Sequence, residues 1–149
     1  MKKHTSWIFL FHKMDNLTKE QRRKNMQNIR SSGSVAERMF MKELRRQKIY
    51  FAKNVKSLVG KPDVVFRRKK IAVFIDSDFW HGNPKLFRMP KTNIDYWRNK
   101  ICTNINRDKK VNKELKFQGW TILRFWEYDV RRKLDGCISK LMICLEERK

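Results

Sequence analysis

Cysteine is scarce in this sequence, which contains only three. None of the three has a close cysteine partner of the kind that disulfide frameworks and zinc sites use. Cys137 and Cys144 lie within an apolar pattern near the C-terminus, so we expect them to pack as small hydrophobic side chains. The scarcity argues against a disulfide-stapled scaffold and against an internal zinc site, and it suits a reducing cytoplasm.

Long apolar runs are also missing. The apolar residues 7–11 follow two lysines, as in a signal peptide, but His12 and Lys13 end the run without a cleavage site. No stretch approaches the roughly 20 apolar residues that cross a bilayer, so neither export nor membrane insertion is expected. We expect residues 1–13 to be an unstructured extension and residues 14–149 to form one domain.

Acidic residues are few as well, with 15 Asp and Glu against 37 Lys and Arg and a formal net charge of +22. Apolar residues make up 40% of the chain, which is enough to bury a core and excludes a disordered basic tail. A field this positive favours a polyanion whose counterions are released on binding, and nucleic acid is the leading partner. A solvated basic face, a ribosomal protein and a membrane-surface protein also fit the charge alone.

Changes in apolar spacing along the chain predict a mixed α/β domain with a central mixed β-sheet flanked by helices. Gly and Pro residues predict a loop over residues 82–93, where a lid or a DNA-contacting segment commonly lies. The predicted elements are, in chain order, a basic helix at 18–30, a helix capped by Ser34, strands at 50–55, 63–66 and 71–76, a helix at 94–118, a strand at 120–126 that lies parallel in the sheet, and a helix at 129–147.

Asp63 and Asp76 stand at the ends of two adjacent predicted strands, so their carboxylates can converge on one point. Phosphodiester cleavage needs a cation to neutralise the phosphate, and Mg²⁺ binds to one or two carboxylates while it keeps several waters. The two acids therefore indicate a candidate Mg²⁺ site. A Pro-Asp pair followed by a second acid is common in proteins, so this signal is weak by itself.

Longer motifs surround the two acids. They read, in order, Gly60-Lys61-Pro62-Asp63, Val73 to Gly82 with the run Phe79-Trp80-His81, Asn93-Ile94-Asp95-Tyr96-Trp97, Lys100-Ile101, Asn104, Arg107-Asp108, and Gly119 to Glu127. Together these motifs closely resemble the very short patch repair (Vsr) endonucleases, bacterial enzymes that nick DNA beside a thymine-guanine mismatch. The resemblance extends over about residues 14–147 and implies a single-domain restriction endonuclease-like fold, with an N-terminal basic helix, that acts as a monomer on double-stranded DNA.

The resemblance also implies roles for individual residues. Asp63 matches the principal Mg²⁺ ligand of the family, and the main-chain carbonyl of Ile75 matches a second ligand. His81 matches the catalytic imidazole near the attacked phosphate, with the acids Asp108 and Glu37 behind it. Imidazole changes its charge near neutral pH, so it can take a proton from water or give one to a leaving oxygen.

The sequence departs from the Vsr pattern at several positions, including Ile75, where some relatives have threonine, and the loop after His81, which lacks an expected cysteine. Asp76 stands where some relatives have histidine, and we expect it to act as a catalytic acid and as an additional metal ligand. Asp78 and Tyr128 stand where the family has cysteines of a structural zinc site, so we expect that zinc to be absent. The sequence does not say what then orders the loop over residues 82–93.

Aromatic residues near His81 match the wedge that enters the base stack at the mismatch. Unstacking costs about a few kcal/mol per step and costs least where pairing is weak, so an aromatic wedge favours mismatches. The predicted DNA-contacting residues are Phe79, Trp80, Trp97, Lys61, Arg107 and, on the N-terminal helix along the minor groove, Met26 and Ile29.

Structural explanations compete with these roles. Aromatic and apolar residues at this spacing also fit ordinary core packing, which applies to Phe79, Trp80, Met26 and Ile29. A histidine is often a hydrogen-bonded structural residue. A glutamate in the first turn of a helix, such as Glu37, interacts favourably with the helix dipole and needs no active site.

Three functions fit the sequence. The first is a Mg²⁺-dependent endonuclease that nicks one strand at a T:G mismatch, with mismatch-repair proteins as accessory partners. The second is a restriction-type or structure-specific endonuclease of the same fold, and the third is a non-catalytic DNA-binding module with a decayed site. Asp63, His81 and Asp108 together favour an enzyme, because binding alone requires none of them.

Overall fold

The structure of the chain is a computed structural model, and it describes residues 18, 20, 21 and 33–148. At the described start of the N-terminal helix, the Thr18 hydroxyl accepts a hydrogen bond from the Gln21 amide at 3.2 Å, an N-terminal cap at the residue where the sequence predicts that this helix begins. Three predictions lie outside the described residues: the extension at 1–13, the basic helix beyond position 21, and the DNA-contacting Met26 and Ile29.

The described strands form one mixed sheet between helices. The elements of this part of the chain are α1 (Val35–Arg46), β1 (Ala52–Lys53), β2 (Val64–Phe66), β3 (Ile71–Asp76), α2 (Ile94–Phe117), β4 (Thr121–Trp126), α3 (Glu127–Arg132) and α4 (Leu134–Glu147). The sheet order is β1-β2-β3-β4, in which β2 is antiparallel to both β1 and β3, and β3 is parallel to β4. The predicted α/β class with a central mixed sheet is therefore confirmed.

The central strand β3 alternates its side chains between two cores. Ile71, Val73 and Ile75 belong to the larger core, which the sheet forms with α1, α3 and α4. Ala72 and Phe74 belong to the smaller core on the opposite face, where α2 packs. The sheet thus lies between two layers of helices, and any polar residue of β3 or β4 in phase with Phe74 points to α2.

Two predicted elements have different bounds in the structure. The strand expected at 50–55 is only two residues long, because Asn54 adopts a left-handed backbone with φ 48° that ends it. The helix expected at 129–147 is interrupted at Lys133, whose φ of −138° and ψ of 46° are not helical. This break lets both α3 and α4 pack against α1.

Two expectations from composition can be compared with the fold. Cys137 is buried in the larger core and Cys144 packs partly buried against it, which confirms that both act as small hydrophobic side chains. Within the part of the chain that the structure describes, no helix combines the length and the apolar character that crossing a membrane requires.

The connection between β3 and α2 places the functional motifs. Residues 77–93 leave the carboxyl end of β3 without regular secondary structure, as predicted for the loop over residues 82–93. Asn93, in the left-handed region with φ 53°, ends this connection, and α2 then runs back across the sheet. The end of β3, the loop and the middle of α2 therefore meet in one region.

Candidate active site

Asp63 lies beside the carboxyl end of β3. Its Oδ2 accepts a hydrogen bond from the Ile75 amide at 2.8 Å, and its own amide donates to the Val73 carbonyl at 3.0 Å. The amide and the carbonyl of a strand residue face the same neighbouring strand, so the Ile75 carbonyl also faces Asp63. The structure thus brings together the two groups predicted to hold a metal, and among the described residues no hydrogen bond uses Asp63 Oδ1.

The electrostatic environment of Asp63 disfavours its negative charge. Burial raises the pKa of this carboxyl from 3.8 to about 7, although the hydrogen bond from Ile75 acts in the opposite direction. The negative charges of Glu37 and Asp76 raise the pKa further, and Arg124 lowers it. A cation bound to Asp63 would relieve this accumulation of negative charge.

Glu37 is buried in the first turn of α1, where its carboxylate caps the helix. Its Oε2 accepts a hydrogen bond from the Gly33 amide at 2.7 Å, and the Ser34 hydroxyl accepts one from the Glu37 amide at 3.2 Å. This is the structural role that the sequence alone allowed. Glu37 also acts on the site through its charge, which raises the pKa of Asp63.

His81 forms a close pair with Asp108 of α2. The distance from His81 Nδ1 to Asp108 Oδ2 is 2.5 Å, and Asp76 Oδ1 lies 3.8 Å from the same nitrogen. About a fifth of the His81 side chain is exposed, so the imidazole is held between two acids and still reaches solvent. The structure therefore brings His81, Asp108 and Asp76 together, as the sequence predicts.

Arg124 holds Asp76 in a buried ion pair that the sequence-based interpretation missed. Its Nη1 lies 2.9 Å from both carboxylate oxygens of Asp76. Burial raises the pKa of Asp76, and the positive charge of Arg124 acts against that rise. The signal that could have identified Arg124 is an arginine between apolar neighbours in the middle of strand β4.

The segment that carries His81 is fixed at both sides of the imidazole. The His81 amide donates to the Ser77 carbonyl at 3.2 Å. Asn104, which is buried in α2, donates from its side chain to the Trp80 carbonyl at 2.9 Å. Asn104 occurs in the motif that carries the family resemblance, and the structure now gives it a physical role.

The aromatic residues predicted to form a wedge lie in one cluster. Phe79 is 5.3 Å from the Trp80 ring and 5.3 Å from the Trp97 ring, measured between ring centroids, and Trp80 is 5.8 Å from Trp97. Two further rings extend this aromatic cluster: Phe87, which the sequence analysis did not single out, contacts Phe79, and Tyr96, which stands in a quoted motif without a predicted role, contacts Trp97. These rings pack on one another outside the two main cores and so form a separate aromatic cluster.

Lys61 and Arg107 are exposed on the two segments that carry the site acids. Lys61 is in the turn immediately before Pro62 and Asp63, where its φ of 52° is left-handed. Arg107 precedes Asp108 in α2. Both exposed cations therefore lie close in sequence to acids of the site.

Asp78 orders the loop that follows His81. Its Oδ1 accepts a hydrogen bond from the Asn83 side chain at 2.7 Å, and its Oδ2 accepts one from the Tyr128 amide at 3.1 Å. The Asn83 carbonyl in turn accepts the Phe87 amide at 2.8 Å. The loop is thus fixed by hydrogen bonds that join Asp78 and Tyr128, the two positions where the Vsr pattern has cysteines.

The residues present fit one Mg²⁺ ion. Among the described residues, no group of three or more His, Cys, Asp and Glu side chains is placed to hold a metal. Mg²⁺ does not need such a group, because it binds through one or two carboxylates and completes its shell with waters and substrate phosphate. The Asp63 carboxylate and the Ile75 carbonyl supply oxygen donors of this kind, whereas each oxygen of Asp76 already accepts a hydrogen bond from Arg124.

Comparisons with known proteins point to one family. The family described as DNA mismatch endonuclease Vsr matches residues 14–85. The type II nicking enzyme V.NmeDIP of Neisseria meningitidis serogroup C is 39% identical over 138 residues, which cover 91% of this chain and 93% of that enzyme. The type II nicking enzyme V.HpaIIP of Haemophilus parainfluenzae is 41% identical over 138 residues, or 91% of this chain and 98% of that enzyme. DNA mismatch endonuclease Vsr of Escherichia coli (strain K12) is 32% identical over 130 residues, which cover 87% of this chain and 83% of that enzyme.

These relatives cover nearly the whole chain and are named as endonucleases or nicking enzymes. A decayed, non-catalytic module is therefore not supported. The chain belongs to the Vsr family of DNA mismatch endonucleases, and it is an endodeoxyribonuclease.

Proposed function

We propose that this endonuclease nicks one strand of double-stranded DNA beside a T:G mismatch, with Mg²⁺ as its cofactor. The observation that carries the proposal is the His81–Asp108 pair at 2.5 Å. Asp76 lies beside this pair and its charge also acts on Asp63, and the aromatic residues Phe79 and Trp80 immediately precede His81. A cation site, a group that moves a proton and a wedge that unstacks bases are the parts that mismatch-directed phosphodiester hydrolysis needs.

We assign the Asp63 carboxylate and the Ile75 main-chain carbonyl as the protein ligands of Mg²⁺. When bound, the cation supplies positive charge that offsets the negative charge of the scissile phosphate. Asp76 is better assigned to its ion pair with Arg124 than to the metal, because Arg124 Nη1 lies 2.9 Å from both of its oxygens. This replaces the metal-ligand role that the sequence suggested for Asp76.

His81 transfers the proton in this proposal. An ionised carboxylate only accepts hydrogen bonds, so Asp108 favours the tautomer that carries its proton on Nδ1 and leaves the lone pair of Nε2 for the substrate. Nε2 takes a proton from the water that attacks phosphorus, and the bond to the leaving oxygen breaks. The imidazolium can then return the proton to that oxygen, while Asp76 and Asp108 stabilise its charge.

The aromatic cluster supplies the preference for mismatched DNA. Tyr96 belongs to the aromatic cluster and is 55% exposed, and Trp97 contacts Phe79, Trp80 and Tyr96. Insertion of these rings between bases costs stacking energy, and this cost is lower at a weak T:G pair than at a matched pair. Lys61 and Arg107 are proposed to hold the adjacent phosphates.

Nicking of end-labelled duplexes tests the proposed function. Matched and T:G-mismatched duplexes of one sequence are incubated with Mg²⁺ or with EDTA. We expect Mg²⁺-dependent cleavage of one strand of the mismatched duplex only. Cleavage that persists in EDTA would contradict the cofactor assignment, and equal cleavage of both duplexes would contradict the mismatch assignment.

Trp97→Ala is expected to reduce the preference for the mismatched duplex by about 10-fold or more, since an aromatic contact to a base contributes about 1–3 kcal/mol. The measurement is the ratio of single-turnover rates on the two duplexes. Tyr50→Ala removes an aromatic ring that is 93% exposed outside the cluster and serves as the control. An unchanged ratio in Trp97→Ala would remove the cluster from mismatch recognition.

The second candidate is a restriction-type or structure-specific nicking activity of the same fold. It is favoured by the names of the two relatives with 39% and 41% identity, which are type II nicking enzymes. The same chemistry would then act on a different DNA target. Matched duplexes that carry candidate recognition sequences separate the two candidates, because a mismatch is not required for the second.

Gly82→Ala is expected to lower stability and to slow nicking. Gly82 has φ 64°, and an added Cβ would lie 3.0 Å from Ile101 and 3.2 Å from Ile105 of α2. We expect a cost of about 1–3 kcal/mol in the free energy of unfolding, with displacement of the adjacent His81. Urea unfolding and the nicking rate measure the two effects. Gly136→Ala, where a Cβ meets nothing within 4 Å, is the control.

The remaining proposals follow the family resemblance. We propose that the chain acts as a monomer in the cytoplasm, that mismatch-repair proteins assist it, and that it carries no structural zinc. The hydrogen bonds of Asp78 with Asn83 and Tyr128 support the last point, because they give the loop an order that requires no metal. Metal analysis of the purified protein tests it.

A further inference from the structure

We propose that Arg124 is a positioning residue of the active site, which fixes the direction of the His81 imidazole through the two acids that contact it. This inference rests on the proposed function in one respect, namely that His81 is the group that moves the proton. It assigns a role to a residue that is neither a ligand nor a proton-transfer group.

The strand register brings Arg124 to the correct face of the sheet. Arg124 of β4 is paired with Phe74 of β3, and Asp76 is in phase with Phe74 two residues further on. Period-two alternation therefore directs Arg124 and Asp76 to the same side, towards α2. About a fifth of the Arg124 side chain is exposed, so it is an internal residue rather than a solvated surface cation.

Contacts in several directions hold the guanidinium of Arg124. Its Nη1 lies 2.9 Å from each oxygen of Asp76, and its Nη2 lies 3.6 Å from Asp108 Oδ1. Its Nε donates to Asn112 Oδ1 at 2.9 Å, and its Cζ lies 4.3 Å from the Phe74 ring centroid. A planar group held by an acid, an amide and a ring face cannot turn without the loss of several contacts.

The same two acids face the imidazole. Asp108 contacts Arg124 through Oδ1 and His81 through Oδ2, at 3.6 Å and 2.5 Å. Asp76 Oδ1 lies 2.9 Å from Arg124 and 3.8 Å from His81 Nδ1. Each acid therefore bridges the guanidinium and the imidazole.

Arg124 makes this arrangement electrostatically possible. Asp76 and Asp108 repel each other, and burial strengthens that repulsion. A single positive charge in contact with both carboxylates offsets it and fixes their oxygens, so that Asp108 alone takes the short contact to His81 Nδ1. Without Arg124, the two acids would move apart or compete for the imidazole, and Nε2 would lose its fixed direction.

The test compares Arg124→Lys with Arg124→Met and with Arg68→Met, an exposed arginine in the turn between β2 and β3. Lysine keeps the positive charge but lacks the planar group that reaches Asp76, Asp108 and Asn112 together. Two properties are measured on folded protein: the single-turnover nicking rate at saturating DNA on whichever duplex the wild type cuts, and the ¹⁵N and ¹H resonances of His81 in the DNA-free protein.

We expect Arg124→Lys to nick about 10-fold to 100-fold more slowly and Arg124→Met more slowly still, with little change in DNA affinity. The His81 resonances shift in both variants and stay unchanged in Arg68→Met. A wild-type rate and wild-type His81 resonances in Arg124→Lys would overturn the proposal, because a positive charge without the planar guanidinium group would then suffice. If the wild type cuts neither duplex, the proposed function fails, while the His81 resonances still decide the role of Arg124.

Discussion

Asp63→Asn is expected to abolish nicking while it makes the metal-free protein more stable. Asparagine keeps the size of the side chain but removes the negative charge that we assign to Mg²⁺ binding. Loss of one group that stabilises developing charge typically costs about 100-fold to 1,000-fold in rate, and loss of the cation itself costs more. Excess Mg²⁺ is not expected to restore the rate, since the amide is a poor substitute for the carboxylate.

The gain in stability follows from the pKa of Asp63. This pKa is about 7 in the folded chain and 3.8 in the reference state, so the folded state binds the proton more tightly. The contribution of the neutral Asp63 carboxyl to the free energy of unfolding is fully present below pH 3.8. It declines as the pH rises and is lost as the pH passes through 7. Asparagine is neutral throughout, so the variant does not show this decline.

Urea unfolding in EDTA at pH 4, pH 5 and pH 8 measures the effect. We expect the free energy of unfolding of Asp63→Asn to exceed that of the wild type by about 4 kcal/mol at pH 8, by less than half of that at pH 5 and by under about 1 kcal/mol at pH 4. Asp95→Asn is the control, because 92% of the Asp95 side chain is exposed. A stability difference that does not change with pH would show that the charge of Asp63 is not costly in the folded chain.

Local sequence signals predicted most of the fold. The apolar run of β3, the long apolar spacing of α2 and the cap of α1 at Ser34 each act within a few residues, and each element lies where the sequence placed it. The predictions that failed depend on contacts between residues that are distant in sequence. The break at Lys133 is set by the packing of α3 and α4 on α1, which no pattern along the chain records.

The sequence points to the residues of the site more readily than to the contacts between them. The motifs that carry the family resemblance point to Asp63, His81 and Asp108; the structure pairs His81 with Asp108 and gives Asp63 a hydrogen bond from the Ile75 amide. The partner of Asp76 comes from β4, and it meets β3 only through the register of a parallel pair that the sequence does not specify. Arg124 therefore escaped the prediction, and the metal role predicted for Asp76 was drawn without knowledge of its counter-charge.

His81→Ala is expected to lower the nicking rate by about 100-fold to 10,000-fold, the usual contribution of a positioned proton-transfer group, without weakening DNA binding. The cavity left beside Asp108 should admit free imidazole, because Asp108 Oδ2 and the exposed fifth of the site stay in place. We therefore expect added imidazole to restore part of the rate in His81→Ala and none in Asp63→Asn, which lacks a charge rather than a base. Single-turnover nicking over a series of imidazole concentrations measures this difference. If His81→Ala nicks at the wild-type rate, His81 is a structural residue. If His81→Ala is slow and added imidazole rescues neither variant, the His81 side chain serves the fold of the loop rather than the movement of a proton.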